Sequence, residues 1–469
     1  MADTLSIFGT DGIRGRPGQF PLINDVLVRL GPAFSGLLDR RPSVLPPSRE
    51  RMLVIARDTR ASGRVLNGLV ARSFQEAGFI PHDLGILPTP AIAYLVAGLN
   101  AALGCVISAS HNPPEYNGLK FFGPRGQKIP EDWERDIEKQ LLGGALKRRA
   151  SPARKRRAPP GSSLLSGALR PDWARRRYMD FLKSRLAAYL DFRGLTVVVD
   201  AAHGAAAQVL PDLLRELGAV VHVLGVQPNG RNINVDCGAL HPQRLASMVL
   251  KKRADIGFAL DGDGDRLVVV DERGRALPGE WVLATVALER RRLREKGSDA
   301  LVTTQVSNFA LRHFLEKNGV GVIETKVGDR WVLEALQEAA LGFGGENSGH
   351  FIWPFVLPSA DGCLGAMMIV QMLLESGRPA SKLFARFPLM PQAGLQVPSP
   401  AEKPPLESLP VFLKELGLVS KALDHKGRVL VRYSGTEPVL RILLEGEMRL
   451  SGLKTMAESL KQAYLKAIE

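Results

Sequence analysis

Gly104-Cys105-Val106-Ile107-Ser108-Ala109-Ser110-His111-Asn112-Pro113 is the stretch from which the rest of the chain is best read. The apolar run from Gly104 to Ile107 predicts a short buried strand. It gives way to small polar residues and then Asn-Pro, where the missing proline N–H ends any ladder. Ser110 is thereby expected on a loop at the carboxyl end of a strand, the edge at which open α/β sheets carry their ligands. A lone serine in such a place is ordinarily a turn former. Other motifs further along the chain argue for more.

Outward from this strand, apolar runs and helical stretches alternate in three rounds. The first has strands at Met52–Ala56 and Phe79–Leu84 with helices at Val65–Ala77 and from Ala91. The second has strands at Leu195–Val199, Val220–Leu224 and Ile256–Leu260, and the third has Ala300–Thr304, Val320–Glu324 and a helix over Arg330–Ala340. Strands alternating with helices predict parallel βαβ architecture. The expected fold is α/β: three similar domains with mainly parallel sheets, then a smaller C-terminal α+β domain, with the active site in the cleft between them. The expected divisions are 1–145, a basic Pro/Ser-rich linker or insertion at 146–168, then 169–266, 267–385 and 386–469.

A chain of 469 residues, 45% hydrophobic and 23% charged, is too long for a single core and too apolar to be disordered. The net charge of +14 suits anionic partners, but seven basic residues between Lys147 and Arg157 account for half of it. That segment carries no aromatic residue to stack on bases, so a solvated loop is expected and nucleic acid is not. Three scattered cysteines, Cys105, Cys237 and Cys363, imply neither a disulfide framework nor a zinc site and fit a reducing cytoplasm. The start lacks a signal-peptide pattern. The uncharged stretch Pro90–Ser108 is broken by Gly98, Asn100 and Gly104, so it predicts a buried helix and strand and not a membrane span.

Four further motifs bear on chemistry. Phe8-Gly9-Thr10-Asp11-Gly12-Ile13-Arg14-Gly15 allows close backbone approach, and Arg14 offers a donor fork suited to phosphate. Asp261-Gly262-Asp263-Gly264-Asp265-Arg266 sets carboxylates at alternate positions, able to surround a hard cation. An EF-hand is the rival reading, with Glu272 at its twelfth position. Arg266 stands where that loop needs glycine, however, and the flanks predict strands. Gly344-Gly345-Glu346-Asn347-Ser348-Gly349-His350 puts Glu346 and Ser348 on a turn that can read sugar hydroxyls, with His350 a candidate acid or base. Arg432-Tyr433-Ser434-Gly435-Thr436-Glu437-Pro438 joins two predicted strands as an anion nest, with Arg441 on the next strand.

In this order, with Asn117-Gly118-Leu119-Lys120-Phe121-Phe122 following the serine loop, these motifs resemble the α-D-phosphohexomutases over almost the whole chain. The segment after Asn112, Pro113-Pro114-Glu115-Tyr116, and the arginine-rich insertion depart from that family's pattern. The resemblance implies a phosphoserine at Ser110 and one Mg²⁺ held by Asp261, Asp263, Asp265 and the Ser110 phosphate. It implies sugar recognition by Glu346 and Ser348 and phosphate recognition by Arg432, Ser434, Gly435, Thr436 and Arg441. Arg14, His111, Lys120, Arg266 and His350 complete the expected catalytic set. The expected reaction interconverts glucosamine 6-phosphate and glucosamine 1-phosphate through a 1,6-bisphosphate, with glucose or glucosamine 1,6-bisphosphate as activator. Neutral hexose phosphates are the alternative substrates, and a catalytically silent phosphate- or nucleic-acid-binding relative is the alternative of another class. A cytoplasmic protein acting on small sugar phosphates, without a membrane partner and with a homodimer allowed, completes the expectation.

Overall fold

The computed structural model describes residues 7–9, 11–45, 51–142, 169–400, 402–434 and 439–468. The arginine-rich run Lys147–Arg157 and the expected linker 146–168 lie outside the described residues.

The first sheet contains β1 (Ile13–Gly15), β2 (Met52–Arg57), β3 (Ile80–Ile86), β4 (Leu103–Ile107) and β5 (Asn117–Phe122), in the order β1-β5-β4-β2-β3. The second contains β6 (Thr196–Asp200), β7 (Val220–Leu224), β8 (Ile256–Leu260) and β9 (Leu267–Asp271), ordered β7-β6-β8-β9. The third contains β10 (Ala300–Thr304), β11 (Gly321–Thr325), β12 (Gly344–Gly345) and β13 (Phe351–Ile352), ordered β11-β10-β12-β13. One plan thus recurs three times. Three parallel strands end in an antiparallel partner to the third, as β5 is to β4, β9 to β8 and β13 to β12. Strands such as β4 and β8 are buried along their whole length, which is why they read as unbroken apolar runs.

This plan positions the site. The serine loop follows β4, the triple-aspartate turn joins β8 to β9, and the Glu346–His350 turn joins β12 to β13. All three motifs therefore occupy the same topological corner, at the carboxyl end of the third strand. The expected division after Arg266 falls inside the β8–β9 hairpin. An antiparallel partner needs only a short turn, so the second sheet runs on to Asp271.

One hydrophobic core spans the first three units, with Val54, Val106, Tyr178, Phe258, Phe351 and Met367 among its members. Helix Pro171–Lys183 joins them. Its Phe181 stacks on Tyr94 at 4.2 Å, and its Tyr178 hydroxyl donates to Asp361 at 2.7 Å. The C-terminal unit, β14 (Gln392–Pro398), β15 (Gly427–Tyr433) and β16 (Val439–Gly446) with helices Pro410–Leu423 and Leu450–Ile468, is antiparallel and has its own core. The uncharged stretch 90–108 forms helix Thr89–Gly98 followed by β4. No helix among the described residues is long and apolar enough to cross a membrane.

Candidate active site

Ser110 is buried and adopts a left-handed backbone (φ +52), a region that non-glycine residues seldom enter. Both sides of the residue are pinned. Its N–H donates to Ser108 Oγ at 2.9 Å, and Ser108 Oγ donates to Asp58 at 2.6 Å. Its carbonyl accepts from Arg60 Nη2 at 3.0 Å and from Asn234 Nδ2 at 2.8 Å. Arg60 also donates to the carbonyls of Asn112 (2.8 Å), Tyr116 (2.9 Å) and Pro113. Asp58 and Arg60 form an ion pair at 2.8 Å with both side chains fully buried. A guanidinium can be buried there because one carboxylate and four carbonyls satisfy it. Burial raises the Asp58 pKa, against the pull of Arg60.

The pinned serine points at the acidic turn. Ser110 Oγ donates to Asp261 Oδ2 at 2.6 Å, joining two units through residues 151 positions apart in sequence. Asp261, Asp263 and Asp265 are all buried, with one oxygen from each lying within 4.8 Å of the others. Lys120, itself buried, meets Asp263 and Asp265 at 2.9 Å and Asp11 at 3.0 Å. Thr89 donates to Asp263 Oδ2 at 2.5 Å, while the buried Asp263 Oδ1 has no hydrogen-bond partner. An all-oxygen donor set with an orphaned carboxylate oxygen fits a hard divalent cation. The charges argue the same way. Burial and the repulsion of Asp265 and Asp263 push Asp261 up to about 8. Burial also opposes the charge on Asp265, but Lys120 and His350 hold its pKa well below the usual range.

The third corner is tied to the second. Glu346 accepts from the Gly328 N–H at 3.0 Å and meets His350 Nδ1 at 2.5 Å. His350 Nε2 reaches Asp265 at 3.1 Å. Burial works against the imidazolium, yet Asp265 and Glu346 together raise His350 to about 10. Both of its ring nitrogens are engaged by carboxylates. His350, which the sequence marks as an acid or base, ties the Glu346 turn to the aspartate turn. Arg266 Nε lies 3.1 Å from the same Nε2. Ser348 is exposed on the turn. His111 Nδ1 stands 3.3 Å from Ser110 Oγ, and burial, with Arg266 and Arg14 nearby, lowers it to about 3, so the ring is neutral. Arg14 donates to Asn112 Oδ1 at 3.1 Å and pairs with Asp11.

From the fourth unit, Arg432 and Arg441 stand directly opposite each other on β15 and β16. Arg432 lines a cavity of about 550 Å³ together with Tyr433, Lys326, Arg330, Trp331 and Glu134. Ser110 and the aspartates do not line it. Burial and Arg441 lower the Arg432 pKa, and Glu346 raises it, so the guanidinium feels the charge of the Glu346 turn. Ser434 is buried and its N–H donates to Val439 O at 2.9 Å. Gly435 and Thr436 lie outside the described residues. Arg60, Asn234 and Asp11 are absent from the sequence-derived set. Asp11 lies within the Phe8–Gly15 motif and Arg60 within the run Arg57-Asp58-Thr59-Arg60 at the end of β2, while Asn234 carries no such signal.

Four consecutive stretches match phosphoglucomutase/phosphomannomutase profiles: residues 5–147 domain I, 176–274 domain II, 278–390 domain III and 396–463 the C-terminal domain. The chain belongs to this family, the α-D-phosphohexomutases, and is a mutase of the isomerase class. Among its relatives is the phosphoglucosamine mutase of Halorhodospira halophila, 41% identical over 95% of this chain and 94% of that protein. The phosphoglucosamine mutase of Lawsonia intracellularis is 39% identical over 98% and 99%. A phosphoglucomutase/phosphomannomutase family protein from Burkholderia thailandensis shares the fold with a TM-score of 0.77, at 23% identity over 100% of this chain and 98% of that one. The N-acetylphosphoglucosamine mutase of Aspergillus fumigatus, solved with GlcNAc-6P and magnesium, has a TM-score of 0.64 at 17% identity, covering 98% and 96%.

Proposed function

We propose that the chain interconverts glucosamine 6-phosphate and glucosamine 1-phosphate, with Ser110 as the phosphoryl carrier. The observation that carries this reading is the 2.6 Å hydrogen bond from the buried Ser110 hydroxyl to Asp261 of the carboxylate triad. The substrate is taken from relatives near 40% identity that are phosphoglucosamine mutases over nearly their whole length.

Phosphate monoesters react very slowly in water, so positioning and charge neutralisation must supply most of the acceleration. The sugar 6-phosphate enters with its phosphate on Arg432 and the Ser434 turn and its ring hydroxyls on the Glu346 turn. Its 1-hydroxyl attacks the phosphorus on Ser110. The O–P bond to the sugar forms as the bond to Oγ breaks, leaving a 1,6-bisphosphate. That intermediate turns over, and Ser110 Oγ takes the 6-phosphoryl group to release the 1-phosphate. In each transfer the attacking hydroxyl's proton passes to the departing oxygen, and His111 Nδ1, 3.3 Å from Oγ, lies beside that exchange. Mg²⁺, held by Asp261, Asp263, Asp265 and a phosphate oxygen, would offset the phosphate charge of roughly −1.5 to −2. Arg14, Lys120 and Arg266 supply the remaining positive field. A hexose 1,6-bisphosphate is the agent that loads an unphosphorylated Ser110. Three free, buried cysteines suit a reducing cytoplasm.

A coupled assay comparing glucosamine, glucose and mannose 6-phosphates tests the substrate, with kcat/KM expected highest for the amino sugar. Ser110→Ala should abolish turnover while the melting temperature stays within a few degrees of the parent. A Ser110→Ala protein with near-normal rate would overturn the carrier assignment.

A further inference from the structure

Asn234, on the connection between β7 and β8, has a backbone in the left-handed region (φ +60), and its N–H donates to Ala202 O at 3.0 Å at the end of β6. Its side-chain amide crosses to the first unit and donates to two carbonyls, Ser110 O at 2.8 Å and Asn112 O at 3.1 Å. Arg60 reaches the same two carbonyls from within the first unit, at 3.0 and 2.8 Å. Gly262 of the aspartate turn packs against this junction. A Cβ there would stand 2.6 Å from Ser110 O and 3.0 Å from Asn234 Nδ2, so only glycine permits the approach.

A residue held at positive φ costs about 1–3 kcal/mol and persists only where its surroundings over-determine it. At Ser110 they do. Ser108 fixes the N–H, while Arg60 and Asn234 fix the carbonyl, so neither peptide plane flanking the residue can rotate. With both planes set, the position of Cβ is fixed, and from there the hydroxyl reaches Asp261 at 2.6 Å. One of the two carbonyl donors belongs to the second unit, as does the aspartate turn. The serine is therefore held by the same unit that supplies the carboxylates it must meet.

We infer that Asn234 is a positioning residue for phosphoryl transfer: its amide fixes the Ser110 carbonyl and makes alignment of the nucleophile depend on the docking of the first two units. This rests on Ser110 being the phosphoryl carrier. Because Asn234 acts through the serine, its loss should slow transfer without weakening the hold on the sugar phosphate.

Asn234→Asp tests this, since it preserves shape but replaces the amide donor with an oxygen facing two carbonyl oxygens. The expected result is a kcat lower by roughly 10- to 100-fold, the scale of a misplaced reacting group, with the KM for glucosamine 6-phosphate within about twofold. The rate at which glucose 1,6-bisphosphate loads phosphate onto Ser110, followed by intact mass, should fall by the same factor. Asn234→Ala should behave alike and carries the test if the aspartate variant does not fold. Arg60→Lys should also lower kcat, because it keeps the charge facing Asp58 but cannot span the carbonyls. Parental kcat and loading rate in the Asn234 variants, or a loss lying wholly in KM, would overturn the inference. Ser110→Ala separates the two readings. If it turns over, the carrier assignment fails; if it is inactive while the Asn234 variants are normal, only the positioning role fails.

Discussion

Asp361, fully buried at the start of helix Gly362–Ser376, accepts from the Leu364 N–H at 2.9 Å and from the Tyr178 hydroxyl at 2.7 Å. Burial outweighs both hydrogen bonds and raises its pKa to about 6 from an ordinary 3.8. The folded protein thus holds this proton more tightly than the unfolded chain does. The stabilisation is complete below the unfolded pKa and is lost as pH rises through about 6. At 1.36 kcal/mol per unit the swing is about 2–3 kcal/mol. Asp361→Asn keeps the capping oxygen and removes the charge. Its stability relative to the parent should therefore rise by about that amount between pH 4 and pH 7. Urea titrations in chelator at both pH values measure this, and a difference independent of pH would contradict it.

At the scale of elements, the β15–β16 hairpin sets two like charges opposite each other, an arrangement that destabilises a sheet by up to about 1 kcal/mol. An anion shared by the two guanidinium groups would offset that repulsion. Arg432→Ala should raise the KM for glucosamine 6-phosphate by ~10-fold or more with a smaller change in kcat, while the melting temperature stays level or rises. Steady-state kinetics and calorimetry decide it, and an unchanged KM would remove Arg432 from the phosphate site. Elements of this kind were legible in the sequence because short turns between apolar runs expose their chemistry locally. Ser110 and the three aspartates each follow a strand that reads as one, whereas the two-residue strand Gly344–Gly345 before Glu346 reads as a glycine turn. Helices Gly279–Arg292 and Gly362–Ser376 were not legible. Both are buried on several sides, so their apolar residues show no clear period of 3.6. Helix Asn24–Arg40 carries Gly31-Pro32 in its middle, which reads as a break. The roles of Arg60 and Asn234 were illegible for another reason, although the run Arg57-Asp58-Thr59-Arg60 marks a polar strand end. Their partners are backbone carbonyls brought near only by tertiary folding, and a charge or amide in a loop gives no sign that it will be buried.

At the scale of the molecule, charged groups link the three α/β units around the site. Lys128 of the first unit meets Asp329 of the third at 2.7 Å and also pairs with Asp11. Asp11 meets Lys120, and Lys120 meets Asp263 and Asp265 of the second unit. Asp265 leads through His350 to Glu346, whose carboxylate accepts from Gly328, the residue before Asp329. The chain closes on itself. A network of largely buried ions, closed by one backbone hydrogen bond, lacks the freedom of a surface pair, because most of its members are desolvated and serve more than one neighbour. Lys128 is nearly buried and its pKa is raised, burial opposing the charge and Asp11 and Asp329 prevailing. Lys128→Met would leave two carboxylates facing each other without their shared cation, at a loss on the order of 3 kcal/mol. Adding Asp329→Asn removes one of those carboxylates, so the double variant should lose less than the sum of the two single changes. Denaturant unfolding of the four proteins in the cycle gives the coupling. Above about 1 kcal/mol it places Lys128 and Asp329 as a working link between the first and third units, and below about 0.5 kcal/mol, the usual limit of additivity, it leaves the shared apolar core alone holding them together.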